Sequence, residues 1–465
     1  MSRAPFIAVL AFAAAACASN HSVGPPPPDT TGAGAFLDTL EQRTFAFFWD
    51  KTNTTNGLTP DRWPTPSFSS IAAVGFALTA YPIGVERGYV SRAAAAGRVL
   101  TTLRFFWSAP HDSSATATGY HGFFYHFLDM STGARWPNVE LSTIDTALLL
   151  AGVLTCQSYF DNATDAGEIE IRALAESIYR RTDWQWASPR PPAIALGWHP
   201  ETQPQFIPYD WKGYNEAMII YILALGSPTH PVDTAAWTAW TSTYNWGTFR
   251  GQTYLGFAPL FGHQYTHVWI DFRAIQDSFM RAKGIDYFEN SRRATYAQRA
   301  YAIANPGGWT GFGANVWGLT ASDGPADAAP YHTYFARGAS FTEVQDDGTI
   351  APTAAGGSIP FAPEIAIPAL RSIRSGYGSN LFAMYGFLDA FNPTFTGTPA
   401  MGHVVPGAGW FDTDYLGIDQ GPILAMVENY RSDLIWRLLR GNPHIVLGLC
   451  RAGFTGGWLA GKCPP

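Results

Sequence analysis

The segment Met218–Leu225 is a nearly continuous apolar run without a polar face, and it constrains the fold more than any other stretch of the chain. A helix of that composition must be buried on all sides, so other elements have to surround it. Directly before it, Tyr209–Ala217 (YDWKGYNEA) combines tyrosine, tryptophan, asparagine, lysine and carboxylate side chains. We therefore expect this polar, aromatic loop to lie at the mouth of a site.

The composition suits one large core and a carbohydrate ligand. Hydrophobic residues make up 47% of the 465 residues and charged residues only 14%, which is ample for a large core. The 17 Trp and 21 Tyr exceed what core packing asks for, and their flat faces with a polar edge suit stacking on sugar rings. The net charge of -7 argues against a nucleic-acid partner, because phosphate binding needs a surplus of Lys and Arg.

Helical periodicity recurs along the chain and predicts about a dozen helices joined by long loops. They are expected at about 34–49, 70–81, 88–107, 142–160, 166–182, 215–225, 233–243, 263–281, 285–304, 362–375, 381–389 and 421–440. Strand alternation is scarce, and Gly122–Asp129 is the best candidate for a small hairpin. This number of helices without an internal repeat predicts an all-α (α/α)6 toroid. The alternative, a helical-repeat solenoid, is disfavoured by the missing period.

The chain divides into a leader and one large domain. The expected parts are an export signal at 1–17, a Pro-rich tether at 18–33 and a single toroidal catalytic domain at 34–465. Of the four cysteines, Cys17 lies in the leader. Cys156 is expected to be a buried free thiol, and a disulfide between Cys450 and Cys463 is permitted in an exported protein.

The first residues have the pattern of an export signal. Arg3 supplies a positive start, and Phe6–Ala16 is apolar but too short to span a bilayer. Cys17 after small residues resembles the acceptor cysteine of a bacterial lipoprotein, and ordinary signal-peptidase cleavage nearby is the alternative. We expect a periplasmic protein or a lipoprotein of the outer membrane or cell surface.

Hydrolysis of a glycosidic bond needs two carboxyl groups across that bond, one protonated and one ionised. Glu216 opens the buried helix and is the candidate for the general acid, because an apolar, Trp-lined setting raises the pKa of a carboxyl group. The alternative is that Glu216 only complements the dipole of the helix.

A second group of acids precedes the last predicted helix. Asp412, Asp414 and Asp419 lie among aromatic residues. Asp414 or Asp419 is the candidate for the general base, and Asp412 is expected to contact substrate. Asp419 could instead cap the helix, although three acids are more than a cap requires.

Further side chains are expected to line the sugar subsites. Glu140 precedes a sequence close to a capping box, and Asp145 lies within it, so that capping is the alternative role of Asp145. The other predicted substrate-binding residues are Trp211, Tyr214, Asn215, His267, Asp271 and Trp317.

One spacing is reminiscent of a metal site. His263, His267 and Asp271 follow each other at i, i+4 and i+8, which would place them on one helix face. The glutamate of a zincin motif is missing, so we expect hydrogen-bonded site or core groups there, with neither a metal nor a cofactor.

Several segments in one order resemble glycoside hydrolase family 144, the bacterial endo-β-1,2-glucanases with a glucoamylase-like domain. They are Gly122–Asp129, Glu140–Leu150, Trp211–Met218, Phe261–Arg273, Trp317–Pro325, Gly348–Pro363 and Tyr415–Trp436. The resemblance implies an (α/α)6 toroid and metal-free hydrolysis of linear β-1,2-glucan to sophorose-type oligosaccharides, with anomer inversion. It also implies Glu216 as the acid and a base from the cluster before the last helix.

Three alternatives to an endo-acting enzyme stay open at this point. They are an exo-acting β-1,2-glucooligosaccharide hydrolase, another (α/α)6 carbohydrate-active enzyme and a non-catalytic glycan-binding surface lipoprotein. The protein is expected to be a monomer that binds β-glucan and touches a membrane only through a lipid on Cys17.

Overall fold

The computed structural model describes residues 33–463. The predicted export signal at 1–17, with Cys17, and the predicted tether up to residue 32 lie outside the described residues. None of the helices that the structure describes combines the length and the apolarity that a bilayer crossing needs.

Helices form most of the regular structure. Within residues 33–463 the α-helices are α1 (Ala33–Lys51), α2 (Ile71–Glu86), α3 (Arg92–Ser108), α4 (Thr143–Tyr159), α5 (Ala166–Arg180), α6 (Met218–Gly226), α7 (Ala235–Thr241), α8 (Tyr265–Trp269), α9 (Ser278–Lys283), α10 (Tyr287–Ala304), α11 (Pro352–Gly356), α12 (Pro363–Tyr377), α13 (Gly417–Ser432), α14 (Leu434–Leu439) and α15 (Pro443–Arg451). Single turns of 3-10 helix span Leu260–His263, Gly378–Asn380 and Gly457–Leu459.

Short strands fill many of the loops between the helices. They are β1 (Arg62–Trp63), β2 (Ser69–Ser70), β3 (Gly119–Tyr120), β4 (Phe123–Tyr125), β5 (Phe127–Leu128), β6 (Leu141–Ser142), β7 (Gly197–Trp198), β8 (Trp246–Phe249), β9 (Gln252–Leu255), β10 (Ala321–Ser322), β11 (Phe335–Ala336), β12 (Gly338–Ala339), β13 (Val344–Gln345), β14 (Phe382–Ala383), β15 (Gly386–Phe387), β16 (Phe391–Asn392), β17 (His403–Val405), β18 (Gly409–Phe411) and β19 (Tyr415–Leu416). The predicted hairpin at Gly122–Asp129 is part of a four-stranded sheet in the order β3-β4-β6-β7.

Six helices that are buried along most of their length form the inner ring: α2, α4, α6, α8, α11 and α13. Every residue of α6 is buried, as its apolar sequence requires. Helices α1, α3, α5, α7, α10 and α12 lie around the ring and expose one face to solvent. The predicted (α/α)6 toroid is confirmed.

The inner helices begin at the end of the toroid that carries strands and long loops. Ser70 and Ser142 cap α2 and α4 there, each accepting a hydrogen bond from a backbone N–H of the first turn. β1 pairs with β19, and Arg62 lies opposite Leu416. This pairing brings the segment before α2 against the segment before α13, at the same end of the ring.

Two predicted helices are interrupted. The prediction at 263–281 corresponds to α8 and α9, which are separated by a turn in which Ala274 has a φ of 60°. The prediction at 421–440 begins earlier, at Gly417, and is divided into α13 and α14 by Asp433 with a φ of 59°. Residues in this left-handed conformation end a helix even where the apolar periodicity continues.

The predicted helix at 381–389 is wrong. This segment forms a hairpin of β14 and β15, in which Gly386 adopts a φ of 94° that a helix does not allow. Two helices, α11 and α15, were not predicted because they are short. At the end of α15, Cys450 forms a disulfide with Cys463, and Cys156 is a buried free thiol as expected.

Helices α2 and α4 approach so closely that only glycine fits between them. A Cβ atom on Gly75 would lie 2.3 Å from the backbone oxygen of Leu148, and one on Gly152 would lie 2.2 Å from the oxygen of Gly75. We expect Gly75→Ala to lower the free energy of unfolding by about 1–3 kcal/mol, because backbone atoms cannot move aside without separating the helices. Chemical denaturation measures this change.

Gly97→Ala is the matched control for this prediction. Gly97 lies on the exposed face of α3, and no atom lies within 4 Å of the position of its Cβ. Alanine there should stabilise the protein by up to about 1 kcal/mol through helix propensity. Equal shifts in both variants would contradict the tight packing of α2 on α4.

Candidate active site

Glu216 lies directly before α6, with its backbone oxygen held by the hydroxyl of Thr266 at 3.1 Å. Its Oε2 atom is buried and has no hydrogen-bond partner among the described residues. Burial, with a smaller contribution from the negative charge of Asp145, raises the pKa of Glu216 to about 7. The carboxyl group is therefore substantially protonated at neutral pH, which a general acid requires.

A network of His126, Glu140 and Asp145 adjoins Glu216. The ring of His126 contacts Glu140 Oε1 at 2.8 Å through Nδ1 and Asp145 Oδ1 at 3.5 Å through Nε2. Burial opposes protonation of the ring, but the two carboxylates raise the pKa of His126 to about 9. Ser142 caps α4 and also donates a hydrogen bond to Asp145 Oδ2 at 2.5 Å. His126 is therefore a cation that compensates two acids beside Glu216.

A second group of acids lies at the same end of the toroid, and we call it the acid cluster. Its members are Asp61, Asp323, Asp389, Asp412, Asp414 and Asp419, all buried. One carboxylate oxygen from each of Asp323, Asp412 and Asp414 lies within 4.8 Å of the others. Asp389 Oδ2 accepts a hydrogen bond from the backbone N–H of Asp323 at 2.7 Å.

Arg62 is the cation that pairs with the acid cluster. Its guanidinium lies 2.7 Å from Asp323 Oδ2, 3.2 Å from Asp61 Oδ2 and 3.8 Å from Asp414 Oδ2. Oxygen-rich groups of this kind can hold a divalent cation. Here the guanidinium of Arg62 already supplies the positive charge beside three of the carboxylates.

One guanidinium cannot neutralise six carboxylates, and the cluster therefore retains protons. Burial raises the pKa of Asp419 to about 7. Burial, and then the charges of Asp419 and Asp323, raise the pKa of Asp389 well above its usual range. Burial also raises the pKa of Asp412 well above its usual range, and the negative charge of Asp323 is the next largest cause. Asp389 and Asp419 therefore titrate as a coupled pair that retains a proton above the usual range of an aspartate.

Tyr265 joins the two halves of the site. It begins α8, and its hydroxyl donates a hydrogen bond to the backbone oxygen of Ile418 at 3.1 Å. Burial, and then the negative charges of Asp419, Glu216 and Asp145 among its neighbours, raise the pKa of Tyr265 well above its usual range. Glu216 and Asp419 thus both act on one buried tyrosine, so the two groups of acids lie in the same region of the toroid.

Several predicted site residues come together as expected. Glu140 and Asp145 lie beside Glu216, and Asp414 and Asp419 lie in the acid cluster. Trp211 is half-buried at the start of α4, where its Nε1 donates to Thr143 Oγ1 at 2.9 Å.

Asn215 and Asp412 also lie at this end of the toroid, but each has a structural partner. Asn215 Oδ1 accepts a hydrogen bond from the N–H of Ala217 at 2.9 Å and stabilises the start of α6. Asp412 has no exposed surface and lies within the acid cluster, so it supports its neighbours instead of contacting a sugar.

His267 and Asp271 do not line the cleft, contrary to the prediction. His267 is fully buried, with its Nε2 at 3.1 Å from Ser291 Oγ. Asp271 pairs with Arg440 and with Arg273, which also contacts Asp433 at the far end of α13. Since Asp419 lies in the first turn of α13, about 21 Å of helix separates the two regions. The spacing of these residues indicated a shared helix face, but the helix is interrupted between them.

The structure also contradicts the prediction that Tyr214 and Trp317 contact substrate. The ring of Tyr214 is buried against Tyr244, His263 and Tyr287, and Trp317 has no exposed surface. A carboxyl group can act through one accessible oxygen, whereas a ring must present a face to stack on a sugar. Both side chains therefore belong to the core.

Several residues of the site were not predicted from the sequence: Asp61, Arg62, His126, Tyr265, Asp323 and Asp389. His126, Tyr265 and Asp323 lie in segments that carry the family resemblance, which is a signal that could have identified them. Asp61 and Arg62 had no such signal, because only the pairing of β1 with β19 brings them to the cluster.

A helical toroid with facing acids in a cleft at one end defines the class of (α/α)6 carbohydrate-active enzymes. The family described as “Putative glucoamylase” matches residues 208–443, and the chain belongs to this family. The resemblance to glycoside hydrolase family 144 is confirmed.

Solved structures with the same fold include two close in length. One carries the same glucoamylase description and comes from Bacteroides uniformis, with 31% identity, coverage of 92% of this chain and 99% of that chain, and a TM-score of 0.79. The other is the endo-β-1,2-glucanase of Chitinophaga pinensis in complex with sophorotriose and glucose, with 27% identity, coverage of 92% and 99%, and a TM-score of 0.79.

The name of a curated relative describes exo-action instead of endo-action. It is the exo β-1,2-glucooligosaccharide sophorohydrolase (non-reducing end) of Parabacteroides distasonis, 28% identical over 448 residues. The match covers 89% of this chain but only 57% of the relative. The chain therefore spans little more than half the length of that protein.

The pairing of Arg62 with buried carboxylates generates a prediction about stability. The pKa of Asp419 in the folded state, about 7, lies above its unfolded value, so its contribution to stability is present at low pH and is lost as the pH rises through about 7. Arg62→Met removes the compensating cation. We expect it to lower the free energy of unfolding by about 3–5 kcal/mol at pH 8, and by less at pH 5, where the carboxyl groups hold protons. Urea titrations at both pH values measure this.

Arg104→Met is the control for that prediction. Arg104 pairs with Glu170 on the protein surface, and both side chains are exposed. Removing such a pair should change stability little at either pH. A loss at Arg62 that is independent of pH would contradict our description of the cluster.

Proposed function

We propose that the protein is a glycoside hydrolase that cleaves β-1,2-glucan, with Glu216 as the general acid. The observation that carries the proposal is the buried, unpartnered carboxyl oxygen of Glu216, which lies at the same end of the toroid as the acid cluster. Its pKa of about 7 keeps a proton available for the leaving glycosidic oxygen. The β-1,2 linkage is supported by the names of the relatives from Chitinophaga pinensis and Parabacteroides distasonis.

Asp419 is the general base in this proposal. Asp419 and Glu216 both contribute negative charge at Tyr265, which supports a role for the two carboxyl groups on one bond. The Oδ2 atom of Asp419 is buried and has no hydrogen-bond partner among the described residues, so it is free to accept a proton. Asp414 is the second candidate, but its Oδ1 already accepts a hydrogen bond from the N–H of Thr65 at 2.9 Å. Asp419 would take a proton from the attacking water while Glu216 releases one to the leaving group, with inversion at the anomeric carbon.

We propose endo-action on linear β-1,2-glucan, with sophorose-type oligosaccharides as products. The endo-acting relative from Chitinophaga pinensis matches over nearly its whole length, whereas the exo-acting relative has a large part that this chain does not cover. Action at the non-reducing end is the alternative that the product pattern distinguishes, because an endo-enzyme releases mixed lengths early and an exo-enzyme releases one product.

Glu216→Gln tests the function. The amide keeps the shape and hydrogen-bonding capacity of the side chain but cannot release a proton, so we expect reducing-sugar release from β-1,2-glucan to fall by a factor of about 10²–10⁴. Binding of glucan in affinity gel electrophoresis should persist. For the wild type, NMR of early products should show newly formed reducing ends in the α configuration.

Glu170→Gln is the matched control, since Glu170 pairs with Arg104 on the surface of α5 and should tolerate the same change. Near-normal turnover in Glu216→Gln would refute its assignment as the acid. A wild type that binds glucan and releases no sugar would favour the non-catalytic, glycan-binding alternative. Asp419→Asn should lose more activity than Asp414→Asn, and the reverse order would assign the base to Asp414.

We further propose that the protein is exported, acts as a monomer and is anchored by a lipid on Cys17. The disulfide between Cys450 and Cys463 supports export, because such bonds persist in oxidising compartments. Cys17→Ser should move the protein from the membrane fraction to the soluble fraction on immunoblots of fractionated cells. Unchanged partitioning would contradict lipid anchoring and favour ordinary cleavage of the signal.

A further inference from the structure

Four aromatic rings follow one another from the candidate active site to the protein surface, and we call them the ring file. The ring of His126 stacks on Phe127 with centroids 3.8 Å apart, Phe127 lies 4.0 Å from Phe68, and Phe68 lies 5.3 Å from Trp136. The inner end is in the site itself, because His126 lies 3.5 Å from Asp145.

The ring file is accessible along its length. His126, Phe127 and Phe68 are partly exposed, and Trp136 is among the most exposed large apolar residues of the described chain, at 39%. The faces of Phe127 are covered by His126 and Phe68, and exposure is highest at Trp136. Exposed aromatic surface costs free energy in water, and such surface beside a site indicates a ligand surface. Glu140, which is bonded to His126, adds a polar group along the same line.

Trp136 is held in place before any ligand arrives. Its backbone N–H donates to the oxygen of Phe127 at 2.9 Å. The neighbouring Arg135 is buried, bonds the backbone oxygen of Val139 and pairs with Glu201 at 2.8 Å. The backbone beneath Trp136 is thus fixed, and its ring contacts Phe68. A ring with two torsions on a fixed backbone loses less conformational entropy on binding than one on a mobile loop.

We propose that the ring file supports an outer glucan-binding surface, on which a glucosyl unit remote from the scissile bond stacks against Trp136 at the outer end. This inference rests on the proposed function. The apolar C–H face of a pyranose ring fits an aromatic face, and polar groups beside it meet the hydroxyls. Because His126 at the inner end contacts Asp145, which lies next to Glu216, a chain bound for cleavage can extend along the file without leaving the protein. Only chains long enough to reach Trp136 gain from that contact.

Trp136→Ala tests the inference with substrates of two lengths. We expect kcat/KM for long β-1,2-glucan to fall about tenfold, mainly through KM, as the loss of one stacking contact implies. The shortest oligosaccharide that the wild type cleaves should change less than about twofold. Initial rates on purified oligosaccharides and on polymer give both values, and analytical ultracentrifugation reports whether the variant alters self-association.

Trp107→Ala is the matched control. Trp107 is similarly exposed, at 44%, but lies on the outer helix α3 beside Arg181, outside the ring file. It should leave both substrates unaffected. Equal losses on short and long substrates, no loss on either, or a change confined to self-association would overturn the inference while the proposed function stands. A wild type that neither cleaves nor binds β-1,2-glucan would overturn both.

Discussion

The burial of many carboxyl groups around one guanidinium is the constraint on which the rest of the site depends. Water would stabilise these acids as separate anions, but the toroid removes most of that water. The group responds by retaining protons and by sharing Arg62, and the pKa values of both Asp389 and Asp419 are raised. The raised pKa values of Glu216 and of the acid cluster thus arise from the same physical cause, which is desolvation at one end of a helical ring.

The local part of this arrangement was predictable. The apolar sequence of α6 requires burial on all sides, and that identified Glu216 at its start as an acid in an apolar setting. The sequence indicates Asp414 and Asp419 for a similar reason, because Asp414 precedes another inner helix and Asp419 lies in its first turn. The number of helices and the absence of a repeat were sufficient to predict the toroid, since few other folds place about twelve non-repeating helices around one core.

The incorrect and missing predictions of site residues concern features that hydrophobic periodicity does not encode. A helical spacing relates His267 to Asp271 along an axis, but it does not say which end of the ring they occupy or where the backbone leaves the helix. Arg62 joins Asp414 through pairing between strands of two residues each, which are too short to leave a pattern in the sequence. The sequence does not distinguish a tryptophan that faces a ligand from one that lies in the core, as Trp317 does.

The pairing of β1 with β19 also has a consequence for biosynthesis. Thr65 and Asp414, which are hydrogen-bonded across this junction, are separated by 349 positions in the chain. A ribosome therefore synthesises the segment with Arg62 long before the segment with Asp414. Helix α1 is likewise synthesised long before α13, which it contacts in the folded protein. The acid cluster is therefore complete only when the last inner helix has joined the first, whereas the group around Glu216 uses residues from the first half of the chain.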